Sequence, residues 1–150
     1  MSEQPEQPAQ VGQVGSSVAV VTGGGHGIGR ACADRLAEAG HRVAVLDVDP
    51  GAPGPHLAVT ADVTDTASVR AAVSTVESEL GPITVLVHAA GISGPWTGLL
   101  DLPEETWQRV MDVNAGGTFR VCQAVVPGMV RRGYGRVVLC LLYTSPSPRD

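Results

Sequence analysis

Between residues 22 and 29 the chain reads Thr22-Gly23-Gly24-Gly25-His26-Gly27-Ile28-Gly29. Glycines at this density let a backbone turn tightly and approach a bulky anion. A helix beginning there adds free N–H groups and a partial positive charge. The chemistry that such a turn serves is pyrophosphate binding. About 20 residues further on, a dinucleotide site needs a carboxylate to accept hydrogen bonds from the ribose hydroxyls, and Asp47 stands at that distance. Asn114 is the third residue of note. It falls between Met111 and Thr118 in an apolar stretch, where an unpaired amide costs free energy. It must therefore be hydrogen-bonded, either as a satisfied core asparagine or as part of a site.

These residues need a scaffold, and the hydrophobic pattern supplies one. Short apolar runs recur at Val18-Ala19-Val20-Val21-Thr22, Val43-Ala44-Val45-Leu46, 56–61, Val85-Leu86-Val87 and 136–139. Bounded by turn residues, they predict strands buried on both faces of a parallel sheet. Helical stripes lie between them. Ile28, Cys32, Leu36 and Ala39 form the first, closed by Gly40 in the C′ position. Val69, Val73, Val76 and Leu80 form the second, with Asp65 as N-cap and Gly81-Pro82 as its end. A longer stretch, 104–132, carries Trp107, Met111, Thr118, Cys122, Val125 and Met129 on one side, with Gly116-Gly117 as a candidate division into two helices.

Strands alternating with helices predict an α/β fold, a doubly wound parallel sheet covered on both faces by right-handed crossovers. One connection is irregular. Only Val48-Asp49-Pro50-Gly51-Ala52-Pro53-Gly54-Pro55 separates the second strand from the third, where a parallel crossover usually takes a dozen residues or more. A turn or loop is expected there in place of a helix.

Composition narrows the function. The 150 residues are 43% apolar and 17% charged with a net charge of −5, which suits one globular domain and argues against a nucleic-acid partner, whose phosphates demand a basic face. No apolar run approaches a membrane span, and no charged-then-apolar leader opens the chain. Cys32, Cys122 and Cys140 lie far apart, which fits a reduced, cytoplasmic protein rather than a zinc site or disulfide scaffold. His26, His41, His56 and His88 show no ligand spacing and read as turn or strand-end residues, so no metal is expected. Residues 1–16, rich in Gln, Glu, Pro and Gly, read as a disordered leader.

The spacing Thr-Gly-x-x-x-Gly-x-Gly at Thr22, Gly23, Gly27 and Gly29 resembles that of the short-chain dehydrogenase/reductase family. Three further segments agree in order. Asp62-Val63 is similar to the family's adenine contact, His88-Ala89-Ala90-Gly91 to its Asn-Asn-Ala-Gly motif, and Val113-Asn114 to its Val-Asn pair. The likeness runs from Val18 to about Leu139 and extends to bacterial 3-oxoacyl-carrier-protein reductase relatives. It implies a Rossmann-like domain over residues 17–139 and hydride transfer between a nicotinamide and an alcohol/ketone pair. It assigns Gly23, Gly27, Ile28 and Gly29 to the pyrophosphate side, Asp47 to the ribose, and Asp62 and Val63 to the adenine. Ala89, Ala90 and Gly91 would line the cofactor, and Asn114 would belong to the catalytic set, supporting a water that links to the catalytic Lys. Family members are commonly homo-oligomers, dimers or tetramers.

The departures are equally specific. His88 and Ala89 replace both asparagines of the family motif. Asp47 followed by Val48, with His26 in the glycine loop, favours NAD over NADP, because an acid accepts from ribose hydroxyls and repels a 2′-phosphate. Arg30 lies close by and reads as a helix-surface charge. The resemblance implies a Ser after the fifth strand and a Tyr-x-x-x-Lys later. All ten basic residues are Arg, so the Tyr–Lys dyad cannot exist within these 150 residues. They would at best form a nucleotide-binding fragment, with the sheet truncated after about its fifth strand. Residues 140–150 depart abruptly from the family pattern and match, codon for codon, a transposase-type sequencing adapter, which makes an artefactual tail the expectation there.

Overall fold

Five parallel strands form a single sheet in the order β3-β2-β1-β4-β5, in a computed structural model that describes residues 17–140 except Pro53. The expected leader, 1–16, and residues 141–150 of the expected tail lie outside the described residues. The strands are β1 (Val18–Thr22), β2 (Arg42–Asp47), β3 (Leu57–Thr60), β4 (Ile83–His88) and β5 (Arg136–Leu139). The helices are α1 (Gly27–Glu38), α2 (Thr66–Leu80), α3 (Glu104–Met111) and α4 (Gly117–Arg132). The alternation read from sequence thus becomes a doubly wound α/β sheet.

Side-chain alternation along β1 divides the core in two. Val18 and Val20 face one layer with Ala44, Leu46 and Leu86, against Val69, Val73 and Val76 of α2 and Val121, Val125 and Met129 of α4. Ala19 and Val21 face the other with Val43, Val45 and Val87, against Ala33 of α1. A buried branched side chain contributes about 1.5–3 kcal/mol, so β1, covered on both faces, is the best-anchored element of the sheet. At the other extreme, all four residues of β5 are exposed on an outer strand of the described sheet.

Capping agrees with the sequence in detail. The Asp65 side chain accepts the Ala67 N–H at the start of α2, and Gly81 ends that helix with φ +89°. Among the described residues of the segment from Val48 to His56 there is no helix, as its length requires.

Two expectations need correction. Helical periodicity puts Ile28 on the buried stripe of α1, yet it is 63% exposed. The buried positions are Gly29 and Ala33, because only small residues let the helix approach β1 and β2 this closely. Trp107 and Met111, placed on the apolar side of the long helical stretch, are also exposed, whereas Val121, Val125 and Met129 are buried as a row. Gly116-Gly117 does mark a boundary within that stretch, since α4 begins at Gly117. The chain passes from α3 through a π-wound turn, Asp112–Gly116, directly into α4, a widening frequently found at functional sites.

Candidate functional site

The sheet order reverses at β1: the chain goes outward to β2 and β3, then returns to the other side for β4 and β5. In open parallel sheets the crevice beyond the strands' carboxyl ends at such a reversal is where ligands bind. Here it is a cleft of about 1460 Å³, and every sequence-predicted site residue except Gly27 lines it.

The glycine turn shapes the near wall. Gly23 has φ +65° and donates its N–H to the Leu46 carbonyl at 2.8 Å, while a Cβ on it would lie 2.6 Å from the Ala90 nitrogen. Gly29 is tighter still, since a Cβ there would sit 2.1 Å from the Gly23 carbonyl oxygen. Gly27 has open space around it, and its need is conformational, with φ +57°. The N-cap residue, His26, is extended and its side chain makes no cap hydrogen bond. The first-turn donors of α1, which no helix can satisfy internally, are therefore free of a side-chain cap. Ile28 is exposed beside the cleft, which suits a ligand contact better than the core stripe.

Asp47 closes β2 with a buried carboxylate, held by backbone alone. The Gly25 N–H donates to Oδ2 at 3.0 Å and the Asp49 N–H to Oδ1 at 3.1 Å. An ionised carboxylate offers about four acceptor positions, so two hydrogen bonds fix its direction and leave capacity for hydroxyl donors. Just past the end of the neighbouring β3, Asp62 accepts from both the N–H and the hydroxyl of Thr64, and these bonds hold its carboxyl below the usual range. The Val63 side chain is buried, pressed against Gly117, where a Cβ would come within 2.8 Å of it.

Beyond β4, Ala89 donates to the Thr22 carbonyl and Ala90 to the Thr22 hydroxyl. Thr22 is thus the clamp between the glycine turn and the Ala89-Ala90-Gly91 wall. Its place in the motif was visible in sequence; its hydroxyl's task was not. His88, buried to 3% exposure, reaches the same hydroxyl through Nδ1 at 2.7 Å, and its Nε2 has no hydrogen-bond partner among the described residues. This is a core histidine, more deeply buried than a strand-end reading implies.

Burial pushes the His88 imidazole below its ordinary range. The unfolded chain takes up that proton near pH 6.5 and the folded one only at lower pH. Between the two values the unfolded state holds more protons, so stability rises with pH. The contribution is fully present above about pH 6.5 and is lost as the pH falls below it. Thermal melts should therefore show a falling midpoint on acidification, with a shallower fall in His88→Asn. An unchanged slope in that variant would remove His88 from the account.

Asn114 sits in the π-wound turn with its amide turned to the loop after β4. Its Oδ1 accepts the Ile92 N–H at 2.8 Å and its Nδ2 donates to the Ile92 carbonyl at 2.9 Å. Both ends of the amide are satisfied by one backbone unit, and a Cβ on Gly91 would lie 3.2 Å from Oδ1. Arg30, read as a surface charge, is paired with Asp34 and the Ala52 carbonyl. His56, read as a strand-end residue, is buried against Asp34. The Arg30–Asp34 pair has the local i,i+4 spacing of a helix face, but the Ala52 carbonyl and the His56–Asp34 contact each span 22 residues, which no local pattern announces.

The short chain dehydrogenase family model matches residues 17–141. The 3-oxoacyl-[acyl-carrier-protein] reductase MabA of Mycobacterium tuberculosis (strain ATCC 25618 / H37Rv) is 43% identical over 119 residues, covering 79% of this chain and 48% of that protein. The 2-dehydro-3-deoxy-L-rhamnonate dehydrogenase (NAD(+)) of Sphingomonas sp. (strain SKA58) is 36% identical over 134 residues, covering 85% of this chain and 54% of that protein. A crystal structure of an actinorhodin polyketide ketoreductase variant with NADPH superposes with a TM-score of 0.77 at 34% identity, over 85% of this chain and 53% of that one. The chain thus spans about half the length of these relatives. With its glycine turn, acid-ended second strand and 3-2-1-4-5 sheet, the chain belongs to the short-chain dehydrogenase family, whose members work with a nicotinamide cofactor.

Proposed function

We propose that this cleft holds NAD(H), in preference to NADP(H), and that the protein carrying it is a cytoplasmic oxidoreductase acting on a small alcohol/ketone pair. The carrying observation is the Asp47 carboxylate, aimed by two backbone N–H groups at the carboxyl end of β2. Ribose hydroxyls would donate to it, and a 2′-phosphate would meet a fixed negative charge. The residues fit the dinucleotide on steric grounds as well. Gly23 and Gly29 leave no volume for a side chain against the Ala90 and Gly23 backbones, so the turn and the start of α1 close tightly together beside the cleft, where the pyrophosphate would bind. On this reading Gly23, Gly27, Ile28 and Gly29 take the pyrophosphate, Asp47 the ribose, Asp62 and Val63 the adenine. Ala89, Ala90 and Gly91 form the opposite wall, and Asn114 holds that wall's exit through Ile92.

The nicotinamide supplies or accepts a hydride. These 150 residues contribute the binding half of that chemistry, because the Tyr–Lys pair that would move the proton needs a Lys and they contain none. Among the described residues no helix is long and apolar enough to cross a membrane. The exposed Trp107, Met111 and Phe119 on α3 and α4 support pairing with a second copy of the protein.

Calorimetric titration with each cofactor tests the preference. NAD+ should bind about tenfold or more tightly than NADP+, the equivalent of about 1.4 kcal/mol, and Asp47→Ala should narrow that gap chiefly by weakening NAD+. Tighter NADP+ binding by the unmutated protein would refute the role given to Asp47.

A further inference from the structure

The loop from Val48 to His56 takes the place of a crossover helix, and it borders the ribose side of the cleft, so something other than helix packing must hold it. Its near end is tied by Asp47 to Gly25 and Asp49, and by the Gly51 N–H to the Asp49 side chain. Its far end rests on one row of α1. Positions 26, 30 and 34 follow one another at four-residue spacing and so share a helix face. Arg30 Nε donates to both carboxylate oxygens of Asp34, at 3.0 and 3.1 Å, and its Nη1 donates to the Ala52 carbonyl at 2.8 Å. His56 Nε2 lies 2.7 Å from the same Asp34 oxygen, with its side chain 1% exposed. Gly54, at φ +64°, passes so close that a Cβ would lie 3.2 Å from Arg30 Nη2. Hydrogen bonds from His56 first and Arg30 second hold the Asp34 carboxyl below its usual range.

A guanidinium near the adenosine 2′-position is what would favour a phosphorylated cofactor, since it binds phosphate with two parallel hydrogen bonds. Arg30 stands one helical turn from His26 of the glycine turn, with its N–H on the His26 carbonyl. Its Nε and Nη1 are already committed to Asp34 and Ala52.

We infer that Arg30, Asp34 and His56 form a positioning set that fixes the 48–56 loop behind Asp47 and withholds the Arg30 charge from the 2′-position, making Asp34 a determinant of cofactor choice. The inference rests on the NAD(H) reading above. Asp34 would touch no cofactor; it acts through Arg30 and the loop.

The test is calorimetric titration of NAD+ and NADP+ into the whole protein and three variants, each first shown to melt cooperatively. In Asp34→Ala, NAD+ should weaken and NADP+ tighten, shifting the ratio of their affinities by about tenfold. In the double variant Arg30→Ala/Asp34→Ala the NADP+ gain should vanish while NAD+ stays weak. Asp34→Asn keeps the side-chain volume and one acceptor. It should shift the ratio the same way by a smaller factor, and it carries the test if the alanine variant does not fold. A purely structural role would weaken both cofactors alike. An unchanged ratio in Asp34→Ala or Asp34→Asn, or an NADP+ gain that survives loss of Arg30, overturns the inference while leaving the NAD(H) reading intact. Failure of the unmutated protein to bind either cofactor overturns that reading, and the inference with it.

Discussion

Gly29→Ala is expected to abolish nucleotide binding and to cost the domain about 3 kcal/mol or more, the upper range for overpacking a filled site. The added Cβ would lie 2.1 Å from the Gly23 carbonyl oxygen and 2.7 Å from its carbon. Those are backbone atoms that cannot step aside cheaply. Gly23 is held on one side by its hydrogen bond to Leu46 and has the Ala90 backbone on the other. To admit a methyl, either α1 must retreat from β1 or the glycine turn must open, and both change the wall of the cleft. Against a total stability of about 5–15 kcal/mol, that loss is visible in any denaturant titration. Gly27→Ala is the control. Nothing lies within 4 Å of a Cβ there, so only the left-handed backbone is penalised, at about 1–2 kcal/mol. Urea unfolding of the two variants side by side should rank Gly29→Ala well below Gly27→Ala. Equal tolerance would show that the turn's glycines are kept for φ alone and not for close approach.

The second large effect is expected at Asn114. Asn114→Asp is nearly isosteric, yet it keeps only half of the pairing with Ile92. The carboxylate can still accept the Ile92 N–H, but it turns an oxygen toward the Ile92 carbonyl where the amide had donated. One hydrogen bond is lost and two acceptors face each other. For a half-buried pair the expected loss is about 2 kcal/mol, within the range for a stranded polar group. The damage should be local before it is global, because the Asn114 carbonyl still accepts the Thr118 hydroxyl and the π-wound turn keeps that support. Amide hydrogen exchange at Ile92 should accelerate more than exchange in β1, and nucleotide affinity should fall with the loosened Ala89-Ala90-Gly91 wall. Unchanged exchange at Ile92 would mean that the amide pairing does not hold the loop.

The scaffold was legible because it is written in repeated local patterns. Val18 to Thr22 is a run of β-branched and small residues ended by glycine, and it forms the central strand buried on both faces. Asp65 two residues before Ala67 is a helix start that needs no tertiary information. Nine residues with three prolines between β2 and β3 leave no room for a helix. The site was legible where chemistry depends on spacing from the glycine turn, as with Asp47.

What escaped was set by distant partners. Ile28 is the most apolar residue at the start of α1, so periodicity draws it inward, but Gly29 and Ala33 win the buried face because the sheet comes too close for a branched side chain. Trp107 and Met111 lie on an apolar stripe that faces outward among the described residues, so periodicity alone misplaced them. His88 and His56 are single residues without a pattern. Their burial follows from Thr22, 66 positions away, and Asp34, 22 positions away. Arg30 is a partly exposed charge on the surface of α1, as its position implies, but its bond to the Ala52 carbonyl spans 22 residues and could not be read from the helix alone.

The central claim is that the crevice at the reversal of the sheet is a dinucleotide site, and mapping NAD+ onto backbone amides tests it most directly. In an isotope-labelled protein titrated with NAD+, the account predicts saturable shifts at the amides of Gly23 to Gly29, at Asp47, Asp62 and Val63, and at Ala89, Ala90 and Gly91. Residues on the outer side of α2 should stay unmoved. Saturable shifts confined to other surfaces, or none in the glycine turn at concentrations that saturate binding, would contradict it.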